Sequence, residues 1–498
     1  MNHRGVTLLA LLLVALLLPA PTTGPAAGAP GEGRPAPSVL AAVESSLATT
    51  PGAHAHRDEQ DLTLALRDLW LSRSALAATD RRRARGLLAR PSDPHAPEAW
   101  RYPGELTPRR SCTARLCVTH VETGRHAAAP AWASATLTAV EAAWTRLVEQ
   151  LGYRAPAPDG SAGGDARFDV YLADLSSQGE LYGFCAPEEL APGHHARATA
   201  FCVLDNDMAQ LGASPSDALA ATAAHEFFHA VQFNYDVGED RWFMEASATW
   251  AEAQVFARVR DNRQFLAQGQ VGRPTLPLDS VTSSYGNWIF VQFLAQRGGI
   301  DAVRQIWERL DASPGARDEW SVQGVGRHFA ARGDAWPRLY ADFVRANFRP
   351  ARHYTGGASF PRAAVTARAH VGRRTPSVRR AAWLPHLSSH SLRLRVGARD
   401  RSQRLLRLDL RTTRRQHARI QVLVHRKDGR VGLRRVPVGR AGRAVVRVNV
   451  RGGRVRHVVV LTSHSGAAHR NCGGNSGWSC GGDPVGALRV RLRARLLP

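Results

Sequence analysis

Lysine is almost missing from this chain: Lys427 is the sole one among 66 basic residues. Methionine is scarce too, at 3, and aromatic residues make up only 7%. Such reliance on arginine, beside abundant alanine, glycine and proline, reads as the codon bias of a GC-rich genome rather than a chosen chemistry. Acidic residues nearly vanish after position 350. From residue 351 onward 33 arginine or lysine residues stand against 4 acidic ones, while residues 1–350 carry 33 against 38. The formal charge of +24 therefore belongs to the C-terminal part. That part has little aromatic interleaving, which argues against a dedicated single-strand nucleic-acid platform.

Long apolar runs are also absent. Beyond the N-terminus no stretch reaches the ~20 apolar residues that a membrane helix needs. At the N-terminus His3 and Arg4 precede an apolar run over residues 6–18, followed by a small-residue stretch ending near residues 27–29. Residues 1–29 read as a signal peptide, and the mature protein as secreted. No cysteine lies near that cleavage region to take a lipid anchor. Cysteine numbers only 6, without the spacing of zinc fingers or ribbons. In an exported chain these fit three disulfides. Their order suggests Cys112 with Cys117, Cys185 with Cys202 and Cys472 with Cys480, one of roughly 15 connectivities that six cysteines allow.

Against these absences stands the run HEFFH at His225 to His229, followed sixteen residues later by Glu245 in WFMEASATWAE. Histidines four residues apart share one helix face, so both imidazoles can point at one cation with Glu226 beside them as general base. Catalytic zinc takes three protein ligands and keeps a position for water, and Glu245 on a second helix can supply the third. Ser214, Pro215 and Asp217 read as the start of the first helix, with serine as N-cap. A second helical pattern runs over residues 241–256, where Glu245 and Glu252 lie seven apart on nearly one face. Glu252 is thus a candidate to orient a zinc histidine. Structural helix histidines and ordinary helix glutamates are the plain alternatives.

These residues resemble the gluzincin metallopeptidases, which pair HExxH with a downstream glutamate in a WxxEAxAxW-type motif. Trp242, Glu245, Ala246, Ala248, Trp250 and Glu252 match it. The chain is most similar to secreted bacterial metalloproteases with HEFFHAVQ, a preceding DVYLADL strand and a YG-C element, here residues 169–175 and 182–185. The resemblance covers roughly residues 110–350. It implies one zinc ion per chain on His225, His229 and Glu245, Glu226 as base, and Tyr285 in SSYGNW as a hydrogen-bond donor to the oxyanion. It implies a protein or peptide substrate. The interval to Glu245 is shorter than in thermolysin or the aminopeptidases. Thr249 stands where thermolysin-like enzymes have an aspartate that supports a zinc histidine. No GAMEN-like segment is present to anchor a substrate amine, which favours an endopeptidase over an exopeptidase.

The chain divides into sections. Residues 30–108 form an N-terminal extension or propeptide, with one helical stretch at 58–78 and a basic run, Arg81 to Arg85. Residues 109–350 form the catalytic unit. It has strands near 116–121, 168–172 and 199–204, a helix over 132–151, the two active helices and further helices. Residues 351–379 form a linker, and residues 380–498 a basic β-sandwich-like domain with alternating strands such as SLRLRV and AVVRVNV. The expected fold is an α+β zincin-like catalytic domain followed by an all-β sandwich-like C-terminal domain. Rows of arginine on the strands are either a solvated face or a dock for a polyanionic cell-wall polymer or polysaccharide. LDND at 204–207 and PDG at 158–160 read first as turn formers, with calcium the weaker reading. His120, His194, His195 and the other scattered histidines receive no metal assignment. Two function classes follow: a secreted zinc peptidase, or a polyanion-binding protein on a catalytically inactive peptidase scaffold. The intact ligand set and base favour the first.

Overall fold

A computed structural model describes residues 36–47, 62–179, 181–210, 214–397, 405–413, 415–474 and 476–498. The expected signal peptide, 1–29, lies outside the described residues, as do positions 58–61 of the first helical stretch. Three helices come first: α1 (Ala36–Leu47), α2 (Leu62–Ser72) and α3 (Ala78–Leu87). Then follow β1 (Arg109–Cys112), β2 (Leu116–His120), α4 (Pro130–Trp144), β3 (Phe168–Ala173), β4 (Gly183–Leu190) and β5 (Ala198–Asp205). Helices α5 (Pro215–Phe233), α6 (Arg241–Val255), α7 (Trp288–Gly298), α8 (Asp301–Leu310), α9 (Ser321–Ala330), α10 (Trp336–Asn347) and α11 (Pro350–His353) complete an α/β part.

The strands form one sheet in the order β1-β2-β3-β5-β4, with β2, β3 and β5 parallel and β1 and β4 antiparallel at the edges. Strand side chains alternate between faces, and here both faces are apolar. Val170, Leu172 and Leu204 pack with Phe227 and Val231 of α5. Tyr171, Phe184 and Phe201 turn the other way onto Leu66 and Leu69 of α2 and onto Trp100. The described part of the N-terminal section is thus a third layer. It is also tied down by polar contacts. Buried Arg90 donates to Glu188 at 2.5 and 2.6 Å, to Asp159 at 2.5 Å and to Asp169. Tyr102 donates to the Leu172 carbonyl at 2.7 Å.

The C-terminal part is β-rich. It contains β6 (Ala367–Gly372), β7 (Ser377–Leu384), β8 (Ser388–Gly397), β9 (Leu405–Thr412), β10 (Ala418–Arg426) and β11 (Val431–Val436). It continues with β12 (Arg443–Asn449), β13 (Val455–His464), β14 (His469–Arg470), β15 (Asp483–Pro484) and β16 (Leu488–Leu497). A β11-β10-β13-β8-β6 sheet faces a β12-β9-β16-β7 sheet across a core of Leu394, Leu408, Val422, Val446, Val460 and Ala494. The outer face of the larger sheet does not meet solvent everywhere. Leu423, Val459 and Leu461 join the core of the α/β part, and Gln421 donates to Asp342 of α10 at 3.1 Å.

Several sequence boundaries shift. The stretch 351–379 is no linker, since it holds α11, β6 and the start of β7. Its short apolar alternation is interrupted by arginines, which hid the strands. Strands β1 and β4 were not anticipated; β4 carries Pro187 at a sheet edge, where the missing N–H is tolerated. Ser214 does not cap α5 with its side chain, because its hydroxyl pairs instead with that of Ser216 at 2.9 Å. The carboxylates considered for calcium serve protein donors. Asp205 accepts the Leu175 N–H at 2.9 Å and that of Met208 at 2.5 Å, and Asp159 pairs with Arg90. Disulfides join Cys112 to Cys117, Cys185 to Cys202 and Cys472 to Cys480.

Candidate metal centre

Helix α5 is buried along nearly its whole length because it lies between the sheet, α4 and α6. A helix buried all round must justify its polar residues. His225, Glu226 and His229 are 6%, 6% and 0% exposed, and Glu245 on α6 is 3% exposed. The ligand atoms of His225, His229 and Glu245 lie within 4.8 Å of one another. Nε2 of His225 is 3.3 Å from one Glu245 oxygen, and Nε2 of His229 is 3.5 Å from the other. The two Nε2 atoms are 3.0 Å apart.

Each imidazole is held from behind. Nδ1 of His225 meets Oε1 of Glu252 at 2.8 Å. Nδ1 of His229 meets Oε1 of Gln232 at 2.8 Å. The Gln232 amide is oriented in turn, its Nε2 donating to the Met244 carbonyl at 2.9 Å and to Ser247 at 3.1 Å. With both Nδ1–H groups donating outward, the two Nε2 lone pairs face each other and a carboxylate. That arrangement is repulsive without a proton or a cation between them. Burial disfavours a charged His225, but Glu245 and Glu252 outweigh it and raise its pKa well above the ordinary histidine value. A metal ion would take the place of that proton. Burial likewise pushes Glu252 up to about 7, against the opposing pull of His225. Two neutral imidazoles and a carboxylate form a donor set suited to zinc.

Tyr285 opens a short 3-10 turn and stacks on His225, with ring centroids 5.6 Å apart and planes 8° from parallel. The turn is possible because Gly286 lies against the backbone of Gly269 and the Phe265 carbonyl, where any Cβ would collide.

Three features escaped the sequence reading. Gln232 lies one turn beyond His229 in HEFFHAVQ, so its spacing could have shown it. Thr63 could not have been found from spacing: it comes from α2, accepts the Cys185 N–H at 3.0 Å and donates to Oε2 of Glu226 at 2.9 Å. Buried Arg67, one turn along α2, donates to the carbonyls of Glu239 at 2.7 Å and Val237 at 3.3 Å, bracing the connection between α5 and α6.

A family model described as a family of unknown function, DUF6055, matches residues 127–319, a span that includes α5, α6 and Tyr285. No curated protein matches the chain. Among solved structures, the chain is similar to an aminopeptidase N family protein from Idiomarina loihiensis. The match has a TM-score of 0.29 and 12% identity and covers 49% of each chain, so this chain spans about half the length of that protein. It is also similar to PliG of Aeromonas hydrophila, a periplasmic inhibitor of g-type lysozyme. There the TM-score is 0.16 and the identity 6%, over 26% of this chain and 98% of that one. No described helix is long and apolar enough to cross a membrane.

Proposed function

We propose that the protein is a secreted zinc-dependent peptidase that cleaves within polypeptides. The supporting observation is the facing pair of Nε2 atoms of His225 and His229, each tautomer fixed by Glu252 or Gln232, with the Glu245 carboxylate against both. His225, His229 and Glu245 would hold one zinc ion, which when bound acidifies the attacking water and polarises the scissile carbonyl. Glu226, one residue from the first ligand, takes the water's proton and passes it to the leaving amine. Tyr285, stacked on His225, donates a hydrogen bond to the developing oxyanion. Zinc content and casein proteolysis, measured with and without a chelator on the wild type and Glu226→Gln, test the reading. About one ion at this site and activity lost both to the chelator and to the variant are expected; chelator-resistant proteolysis would refute it.

In the same reading the structure is a closed resting form. The ligands and the base are almost wholly covered, and the first turn of α2 sits on the base through Thr63. The outer edge of β4 is occupied as well, with Cys185 N–H bound to Thr63 and the Glu188 carbonyl to Trp70 Nε1 at 2.6 Å. A substrate adding as a strand to that edge would need those groups. The rest of α2 stays in place, since removing it would bare Tyr171, Phe184 and Phe201. Thr63→Val keeps the shape and deletes the donor; it should raise kcat several-fold, whereas a fall would make Thr63 a positioning residue for Glu226.

The sandwich is the docking part of this enzyme. On the outer face of the smaller sheet Arg443, Arg411 and Arg491 lie directly opposite one another, as do Arg447, Arg407 and Arg495 four residues along. Like charges directly opposite destabilise a sheet, and Asp409 supplies the acidic counterpart through Arg407 and Arg495. An anionic polymer laid across the strands would offset the remaining repulsion.

A further inference from the structure

A second group of ligand-type side chains lies away from α5. Asp279 comes from the loop before the Val281–Ser283 turn, His386 from the turn between β7 and β8, and His469 from β14. These segments are far apart in sequence, yet their ligand atoms lie within 4.8 Å of one another. Nε2 of His386 is 2.7 Å from Oδ1 of Asp279, and Nε2 of His469 is 3.1 Å from Oδ2. The side chains of Asp279, His386 and His469 are 0%, 4% and 0% exposed. The histidine rings stand edge to face with centroids 5.4 Å apart, and Trp478 and Trp320 wall the site, the former against His386 and the latter against His469.

The surrounding backbone is fixed by bonds that cross the seam between the two parts of the molecule. Leu278 N–H donates to the Leu387 carbonyl at 2.8 Å, and Ser389 N–H to that of Pro274 at 2.7 Å. Asp240, at the start of α6, is a second buried carboxylate here, bound by the Cys480 N–H at 2.6 Å and by the Ser321 hydroxyl. Among the described ion pairs neither Asp279 nor Asp240 meets an arginine or lysine; Asp279 pairs with the two histidines, and the Ser479 N–H donates to its Oδ2 at 3.4 Å. Two buried carboxylates without a fixed cation are costly, and a single Asp–His hydrogen bond would need only one imidazole. Here two imidazole nitrogens and the Asp279 carboxylate converge, three ligands of the kinds that bind zinc.

We propose that Asp279, His386 and His469 form a second, structural zinc site that clamps the C-terminal sandwich to the catalytic unit. The clamp reaches the first centre through α6. The loop closed by Cys472–Cys480 carries Ser479, whose hydroxyl accepts from Trp242 Nε1 at 3.1 Å, one turn before Glu245. The site needs no catalytic role and does not depend on the peptidase reading.

Metal content is measured on the full secreted chain after zinc loading and removal of loose ions, for the wild type, His225→Ala/His229→Ala and His386→Ala/His469→Ala. Two zinc ions in the wild type and one in each double variant are expected. The ion left in His225→Ala/His229→Ala should show imidazole and oxygen ligands by X-ray absorption, and chelating it should lower Tm. An empty His225→Ala/His229→Ala variant overturns the proposal, as does a folded His386→Ala/His469→Ala variant that keeps the wild-type stoichiometry. Where the latter fails to fold, the former decides alone. If the first centre proves not to bind zinc, one ion in the wild type that survives His225→Ala/His229→Ala still supports the second.

Discussion

At the scale of single residues, the candidate centre is governed by what stands behind each ligand. Glu252 and Gln232 hold the two Nδ1 atoms, so in the proposed centre neither would touch the metal but both would orient its ligands. Glu252→Gln and Gln232→Ala should each weaken zinc affinity by roughly 10- to 100-fold, read by competition with a chromogenic chelator. Glu226→Gln should retain zinc while losing roughly 10²- to 10⁴-fold in kcat. The histidine and glutamate motif is legible in the sequence because helical periodicity is local. Gln232 holds Nδ1 of His229 at 2.8 Å, and its only sequence signal is the one-turn spacing from His229 within the same helix. Titration also acts at this scale. His328 is held down to about 4 by burial and by Arg332 and Arg309. Its folded pKa lies below the unfolded value, so its contribution to stability is present above roughly pH 6.5 and lost as pH falls toward 4. Replacing it with glutamine should remove that loss, so the Tm advantage of the wild type over His328→Gln should shrink between pH 7 and pH 4.5.

Among the elements, α5 and α6 are recognisable from their patterns, and both appear within a residue of expectation. Edge strands are a different matter. Strand β4 reads GFCAPEEL and β1 reads RRSC, neither with an alternation that separates them from loop. They are strands because β5 and β2 offer them unpaired backbone edges. The turn carrying Tyr285 depends on a close approach that no pattern reveals. Gly286→Ala would drive a methyl into the backbone of Gly269. The expected cost is about 1–3 kcal/mol, with a matching drop in Tm and a loss of activity as Tyr285 shifts off His225.

Over the whole molecule, charge and packing divide the labour. The arginine excess is confined to the sandwich, whose inner faces are apolar and whose smaller sheet turns its arginines outward. Binding to a sulfated polysaccharide should weaken steeply with salt, and Arg411→Gln/Arg491→Gln should reduce it while raising Tm, because the directly opposed pair is relieved. The sequence by itself determined the helix pair, the donor types at the first centre, the β character of the C-terminal part and the segregation of charge, since each depends on residues near one another along the chain. Only the tertiary structure decided that α2 is a layer of the α/β part with Thr63 on Glu226. The same holds for histidines that seemed scattered. His386 and His469 meet Asp279 because the C-terminal part packs onto the α/β part, and no local spacing encodes that meeting.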